Sequence, residues 1–331
     1  MTVLVTGGAG YIGSHTARAL RRSGYEVVIY DNLSSGFRRL AQGFELVEGD
    51  IADETKLRGM LPRVDAVMHF AAHAYVGESV ENPRKYFRNN VLAALSLLNS
   101  TLDAGIRQFV FSSTCAVYGV PGTVPILEST PREPVNPYGA SKLFFENALE
   151  AYSRAYGLRS VRLRYFNAAG ADESGEIGEL HDPETHLIPL ALAATTEHGA
   201  ELQVYGSDYP THDGTCVRDY VHVNDLADAH LRALQYLERC DDKPQGEALA
   251  INLGTGRGYS VLEIMQEAEK VTGREVRRKI GQRRPGDPPT LVADAAKAQQ
   301  LLGWTAKRSL ADIMSTAWNW MQANSRAIIS N

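Results

Sequence analysis

The chain has 331 residues, 44% of them hydrophobic and 22% charged, enough apolar material for a sizeable core in one large domain or two smaller ones. A net charge of −5 leaves no basic footprint for nucleic acid, and no apolar run approaches the ~18 residues that a membrane span needs. Cys115, Cys216 and Cys240 stand far apart, so the reading carries no metal ligand and no disulfide framework, and it expects a reducing, cytoplasmic compartment. Met1–Thr6 lacks the basic segment and long apolar stretch of a secretory signal.

Val3-Leu4-Val5 reads as a first strand, and glycines follow at once: Gly7, Gly8, Gly10 and Gly13. Ile12, Ala17, Ala19 and Leu20 are the apolar positions of a helix that ends at Ser23-Gly24. Glu26–Asp31 is a second strand closed by an acid. Strand, glycine turn, helix, strand and acid in that order form a dinucleotide-binding unit, in which Gly7, Gly10, Tyr11, Ile12 and Gly13 bring backbone amides and a helix N-terminus to a pyrophosphate. Asp31, with Asn32 beside it, is placed to accept from adenosine ribose hydroxyls and to repel a 2′-phosphate, which favours NAD over NADP.

The alternation continues with a strand at Phe44–Val47, then Asp50 and Ile51 at an adenine edge, and a helix over 56–61. A buried-type strand, Asp65–Phe70, runs into Ala71 and Ala72, where a cofactor has room to lie close. A long amphipathic helix spans Tyr86–Ala104 and carries Asn89. Gln108–Phe111 is a further strand, with Ser112, Ser113 and Thr114 at its end. Such alternation predicts a Rossmann-type, doubly wound parallel sheet whose ligands bind beyond the carboxyl ends of its strands.

Pro137 then opens a helix that places Tyr138 and Lys142 four residues apart on one face. Of fifteen tyrosines, only Tyr138 has a lysine at that spacing. A phenol beside an ammonium is a proton-transfer device, because the cation favours the phenolate. Residues 158–165 form a sixth strand ending at Tyr165. Beyond it the alternation weakens. A Gly-, Asp- and Glu-rich loop covers 169–185, a helix begins at His186-Leu187, and a strand runs over 202–206. A helix over 221–237 is capped at Asn224, a strand spans 248–254, and Ser260 caps another helix. The reading divides the chain into a nucleotide-binding domain, 1–167, and a smaller C-terminal mixed α/β substrate domain, 168–331, interleaved with it by strands that return to the sheet.

The glycine pattern, Thr114 after the fifth strand and Tyr138-x-x-x-Lys142 resemble the extended short-chain dehydrogenase/reductase superfamily. Segments along nearly the whole chain are similar to its UDP-glucose 4-epimerase family: Val76-Gly77-Glu78-Ser79, Asn89-Asn90-Val91, Ser112–Gly119, Tyr165-Phe166-Asn167, Asp208–Thr215, Val217–Tyr220 and Arg283-Arg284-Pro285-Gly286-Asp287. The resemblance implies bound NAD used catalytically, with Tyr138 as base, Thr114 on the sugar 4-oxygen, and Lys142 on the nicotinamide ribose. It places Phe70, Ala71, Ala72, Asn89, Ser112 and Tyr165 around the cofactor. It assigns Arg218 and Arg284 to the diphosphate, Asp287 to the ribose, Tyr205 and Gln203 near uracil, and Asn167, His186, Leu187 and Leu291 to the substrate. His186 stands where the family usually has Asn.

Two departures bear on the sugar. Ala74 replaces a lysine, giving an Ala-Tyr-Val-Gly-Glu-Ser form that resembles enzymes acting on UDP-pentoses or on both sugar classes, and Leu291 replaces a bulky tyrosine, which favours admission of N-acetylated hexoses. UDP-glucose/UDP-galactose and UDP-xylose/UDP-arabinose both remain open as substrate pairs. A 4,6-dehydratase would need Asp-Glu where Cys115-Ala116 stand, and a non-catalytic NAD-binding regulator would not need the Tyr138–Lys142 pair. The resemblance also implies a homodimer through a four-helix bundle, with Leu92, Leu95, Phe144 and Phe145 as candidate apolar contacts.

Overall fold

The computed structural model describes residues 1–240, 246–284 and 286–328, so Pro285 of the Arg283–Asp287 segment lies outside the described residues. The strands are β1 (Thr2–Thr6), β2 (Glu26–Asp31), β3 (Glu45–Glu48), β4 (Ala66–His69), β5 (Gln108–Ser112), β6 (Arg159–Tyr165), β7 (Asn167–Ala169), β8 (Leu202–Tyr205), β9 (Val217–His222), β10 (Glu247–Leu253), β11 (Gly258–Ser260), β12 (Arg278–Gly281) and β13 (Thr290–Leu291). The helices are α1 (Tyr11–Arg22), α2 (Glu54–Met60), α3 (Val76–Glu81), α4 (Pro83–Phe87), α5 (Ala94–Asp103), α6 (Pro137–Tyr156), α7 (Leu187–Ala194), α8 (Val223–Glu238), α9 (Val261–Thr272), α10 (Ala296–Leu302) and α11 (Leu310–Ile328).

Seven parallel strands form the main sheet in the order β10-β6-β5-β4-β1-β2-β3. Its strands are buried on both faces because alternate residues feed opposite cores. Val3 and Val5 of β1 pack with Leu20, Leu226 and Trp304. Leu4, between them, packs with Leu97, Phe109 and Phe145. This is the doubly wound Rossmann arrangement predicted from the alternation, with helices on both faces. The strand order reverses between β1 and β4, and a crevice at the carboxyl ends opens there. β10, from the later part of the chain, extends the sheet beside β6.

The remaining strands form smaller sheets. β9 pairs with β7, β11 and β13, and β8 pairs with β12. A third core of Ile188, Leu192, Val204, Tyr220, Ile264 and Met314 joins these strands to α7, α9 and α11. Ser260 caps α9 in a full capping box with Glu263, as the sequence predicts. The cap of α8 is His222 rather than Asn224. The His222 imidazole accepts the Asn224 N–H at 3.1 Å, because β9 runs through residue 222 and leaves Asn224 inside the first turn.

The helix predicted over Tyr86–Ala104 is interrupted by a π-helical turn, Arg88–Ala93, between α4 and α5. Within that turn Asn90 is buried. Its carboxamide accepts the His73 N–H at 2.9 Å and donates to the His73 carbonyl at 3.0 Å and to Ser141 Oγ at 3.1 Å. The wider turn points this side chain at the loop after β4 and at α6 together.

α6 carries charge into the interior. Glu146 is fully buried and takes Arg164 of β6 on both carboxylate oxygens, at 2.9 and 2.5 Å, and Ser113 Oγ–H at 2.5 Å. Arg164 also donates to Tyr118 Oη at 2.8 Å, which donates to Asn252 Oδ1 of β10 at 2.6 Å. Removing one member of such a pair strands the other charge. Arg164→Met alone is therefore expected to cost about 3–5 kcal/mol in urea unfolding, and Arg164→Met with Glu146→Leu is expected to recover much of it. Equal loss in the single and double variants would refute that origin.

Candidate active site

β1 leads into Gly7, which lies in the left-handed region with φ 73°. A Cβ there would lie 2.5 Å from the Ala71 nitrogen, so the glycine also allows the loop to press on the end of β4. A Cβ at Gly13 would lie 2.3 Å from the Gly7 carbonyl oxygen, which closes the loop onto the first turn of α1. Gly10 caps α1 without a side chain, and no acid stands in its first turn. Its leading amides therefore face the crevice without a protein anion to meet them, the arrangement a pyrophosphate fits. The Tyr11 side chain turns away, donating to the Gly170 carbonyl at 2.5 Å, so only its backbone serves such a group.

Asp31 ends β2, buried, and accepts the Ala9 and Leu33 amides at 2.9 Å each. Burial raises its pKa, and the two amides pull it back. A carboxylate held in this pocket accepts from ribose hydroxyls and repels an added phosphate. Asn32 donates to Asp50 Oδ2 at 2.9 Å, with Ile51 buried behind. Phe70, Ala71 and Ala72 line the end of β4, half-buried. This side of the crevice fits a dinucleotide with two free ribose hydroxyls.

The other side is built on α6. The Asn136 side chain caps the helix by accepting the Gly139 N–H at 2.9 Å, and Pro137 occupies the first turn. Tyr138, Lys142 and Glu146 follow at four-residue steps and all point inward. Lys142 Nζ donates to the Ser112 carbonyl at 2.9 Å. Ser112 Oγ shares a 2.6 Å hydrogen bond with Tyr165 Oη. Thr114 is buried, its Oγ1 accepts the Ala116 N–H at 3.1 Å, and its hydroxyl favours the Tyr138 phenolate against the larger effect of burial. Asn89 donates to Asn90 and so braces the π-helical turn beside the site.

The expected lowering of the Tyr138 pKa by Lys142 is not what the isolated chain produces. Lys142 Nζ is 6.0 Å from the Tyr138 ring centre and engaged with Ser112. Burial dominates both groups, pushing the Tyr138 phenol well up and the Lys142 amine down to about 7, with Glu146 opposing the latter shift. Burial also pushes Cys115 up to about 12, so it stays a thiol and packs against the Val117, Tyr118, Ile126, Phe166 and Ala293 cluster.

The remaining predicted residues lie on the smaller sheets. Arg218 of β9 donates to Asp287 Oδ1 at 2.5 Å, half of a pair that also steadies the loop before β13. Arg284 stacks over the Tyr205 ring at 3.9 Å, an exposed platform of the kind a flat base can join. Gln203 donates to the Lys279 carbonyl at 3.2 Å. Asn167 lies in β7 beside Tyr220, and Leu291 packs on the Val117–Phe166 cluster next to Cys115. Arg218 partly opposes the burial that raises the Cys115 pKa. Leu187 starts α7, but His186 Nδ1 is already committed to Glu184 and Glu179 at 2.9 Å each.

Sequence reasoning missed Asn90 and the Glu146–Arg164 pair. The signal for Glu146 was its position four residues past Lys142 on a face already known to be buried. Asn90 gave none, since its role depends on the π-helical turn.

A family model described as the NAD dependent epimerase/dehydratase family matches residues 3–254. The UDP-glucose 4-epimerase of Rhizobium meliloti is 52% identical over 320 residues, covering 96% of each chain. The crystal structure of UDP-glucose 4-epimerase from Brucella ovis in complex with NAD aligns with a TM-score of 0.92 at 51% identity, covering 96% of this chain and 97% of that one. The UDP-glucose-4-epimerase of Stenotrophomonas maltophila with bound NAD and formylated UDP-arabinopyranose aligns with a TM-score of 0.93 at 42% identity over 99% of each chain.

The Lys142 environment has a measurable consequence. Its folded pKa of about 7 lies below the ordinary 10.5, so the unfolded chain binds more protons between those values. Stability of the nucleotide-free protein from this site therefore falls as pH drops from about 10 to about 7 and is flat below. Lys142→Met is expected to be more stable than the parent at pH 7, by an amount on the order of a few kcal/mol, with the gap narrowing toward pH 10. A gap that is constant with pH in denaturant titrations would refute it.

Proposed function

We propose a UDP-sugar 4-epimerase activity from one premise: the chain belongs to the NAD dependent epimerase/dehydratase family. The reaction interconverts UDP-glucose and UDP-galactose through a 4-keto sugar. The observation that carries it is the inward face of α6, where Tyr138 and Lys142 are both buried and Lys142 Nζ donates to the Ser112 carbonyl at 2.9 Å at the end of β5, beside buried Thr114. Gly7, Gly10, Gly13 and Asp31 would hold the dinucleotide, with the Phe70–Ala72 segment, Ser112 and Tyr165 toward its nicotinamide end. When bound, NAD supplies a hydride acceptor and donor together with a positive ring charge in its oxidised form.

Tyr138 takes the proton of the sugar 4-hydroxyl, and Thr114 is placed to hold the 4-oxygen and relay that proton. A positive charge brought beside Tyr138 offsets the burial that otherwise keeps its phenol protonated. Lys142, fixed by the Ser112 carbonyl, offers its remaining N–H groups to a ribose, and its protonated form alone adds to that field. Arg218 and Arg284 grip the diphosphate, so the sugar ring can turn while the nucleotide stays fixed. Tyr138 then returns the proton to the new alcohol. Cys115-Ala116 offer no acid or base for loss of water, which speaks against a dehydratase.

In this reading residues 1–167 bind the nucleotide and 168–331 mainly the UDP-sugar. Among the described residues no helix is long and apolar enough to cross a membrane, and Cys115, Cys216 and Cys240 form no disulfide; a cytoplasmic location is part of the same reading. Leu92 and Phe144 are 63% and 54% exposed on neighbouring helices, which supports a homodimer through a four-helix bundle. Leu95 is half-buried and Phe145 fully buried against Phe109 and Phe111, so Phe145 belongs to the core. A single-chain mass in sedimentation would overturn the dimer.

Tyr138→Phe is expected to lose at least the ~10²–10⁴-fold that a positioned base supplies while keeping NAD, read from initial rates and the absorbance of the purified protein. Incubation with UDP-galactose, UDP-N-acetylgalactosamine and UDP-xylose without added NAD sorts the substrates. Leu291, small beside the site, predicts turnover of the N-acetylated sugar. A rate below about a thousandth of that for UDP-galactose, ~4 kcal/mol in barrier, would count against it. Conversion of none of the three, with NAD bound, would replace the enzyme by an NAD-binding regulator.

A further inference from the structure

The loop between β7 and α7 contains four donor side chains in eight residues: Glu179, His181, Glu184 and His186. One ligand atom from each lies within 4.8 Å of all the others. His186 Nδ1 is 2.9 Å from both Glu179 Oε1 and Glu184 Oε1. His181 Nδ1 is 3.2 Å from Glu179 Oε1 and 3.6 Å from Glu184 Oε2. The two imidazoles stand with their centres 4.7 Å apart.

His186 Nδ1 sits at hydrogen-bond distance from both carboxylates, where a bound cation would take the place of the shared proton. Tetrahedral zinc with bonds of ~2.0–2.2 Å sets its ligands ~3.3–3.5 Å apart. The His181 Nδ1 atom is sealed from solvent and lies near the Glu179 carboxylate, yet at an angle that makes no hydrogen bond. A buried ring nitrogen in that condition wants a partner within the cluster. Two imidazoles and two carboxylates form an N₂O₂ set suited to a first-row divalent ion, and two carboxylates match its charge.

The surroundings supply what a built site needs. Glu184 Oε1 also accepts the Thr185 and His186 amides at 2.7 and 2.8 Å, which fixes the carboxylate. The Glu179 carbonyl accepts the Trp320 indole N–H of α11 at 2.9 Å. The His181 ring meets Tyr11, at the start of α1, and Tyr75, in the loop after β4, edge-on at 6.3 and 5.7 Å.

We propose that Glu179, His181, Glu184 and His186 bind one zinc-class divalent cation, which fixes the β7–α7 loop with the His181 ring against Tyr11 and Tyr75. Four protein donors close the coordination shell, so the ion is structural and takes no part in the reaction. The cysteine spacing gave no hint of it, because the donors are His and Glu.

The test uses the full chain, treated with chelator, dialysed, and reloaded with Zn²⁺. One zinc per chain by mass spectrometry is expected, with a Tm rise of about 4 °C at a hundredfold excess over Kd. His181→Gln and Glu184→Gln should each lose both effects. Should the variants fail to fold, the parent loaded with Co²⁺ decides: an intense visible band of a tetrahedral ion supports the site, and a weak octahedral spectrum overturns it. Zinc below about a fifth of an equivalent in the parent, or equal zinc in parent and folded variants, also overturns it.

Discussion

One face of α6 sets the terms for the rest of the molecule. Tyr138, Lys142 and Glu146 are buried at successive turns, and a helix that carries a phenol, an amine and a carboxylate inward must find partners for all three. The strand ends supply them. The Ser112 carbonyl takes the amine, Thr114 meets the phenol, and Arg164 with Ser113 takes the carboxylate. Stability and chemistry therefore share a structure: the pair that anchors the inner half of the helix holds the outer half at the crevice.

Burial works in two directions along this face. At Glu146 it is matched by a bidentate arginine, so the charge is kept. At Tyr138 and Lys142 no full counter-charge is present, and both groups shift toward their neutral forms. A site in that state is primed to respond to a charge that arrives with a ligand. The order of the strands explains why the ligand arrives here: β1 and β4 are paired neighbours, but the chain leaves them toward opposite faces of the sheet, and the crevice lies between those connections.

The region of the smaller sheets holds two arginines whose orientation the protein itself sets. Arg218 is already paired with Asp287, and Arg284 rests on Tyr205. Both guanidiniums are oriented before anything binds, which reduces the ordering cost of recognition. His186 is different. Its imidazole faces two carboxylates that raise its pKa to about 10 against the effect of burial, so it belongs to the loop that carries it.

Much of this could be read from the chain alone. Alternating apolar runs, the glycines after β1 and the acid closing β2 determined the parallel sheet and its nucleotide edge, because those patterns act over a few residues and have few other solutions. The pairing of Tyr138 with Lys142 was likewise visible, since a four-residue step puts two side chains on one helix face whatever surrounds it. The tertiary structure alone decided the protonation tendencies of that pair, the diversion of Asn90 through a π-helical turn, the cap at His222, and the convergence of Glu146 with Arg164. Each of these depends on desolvation or on partners distant in sequence, and neither quantity exists until the chain has closed around them.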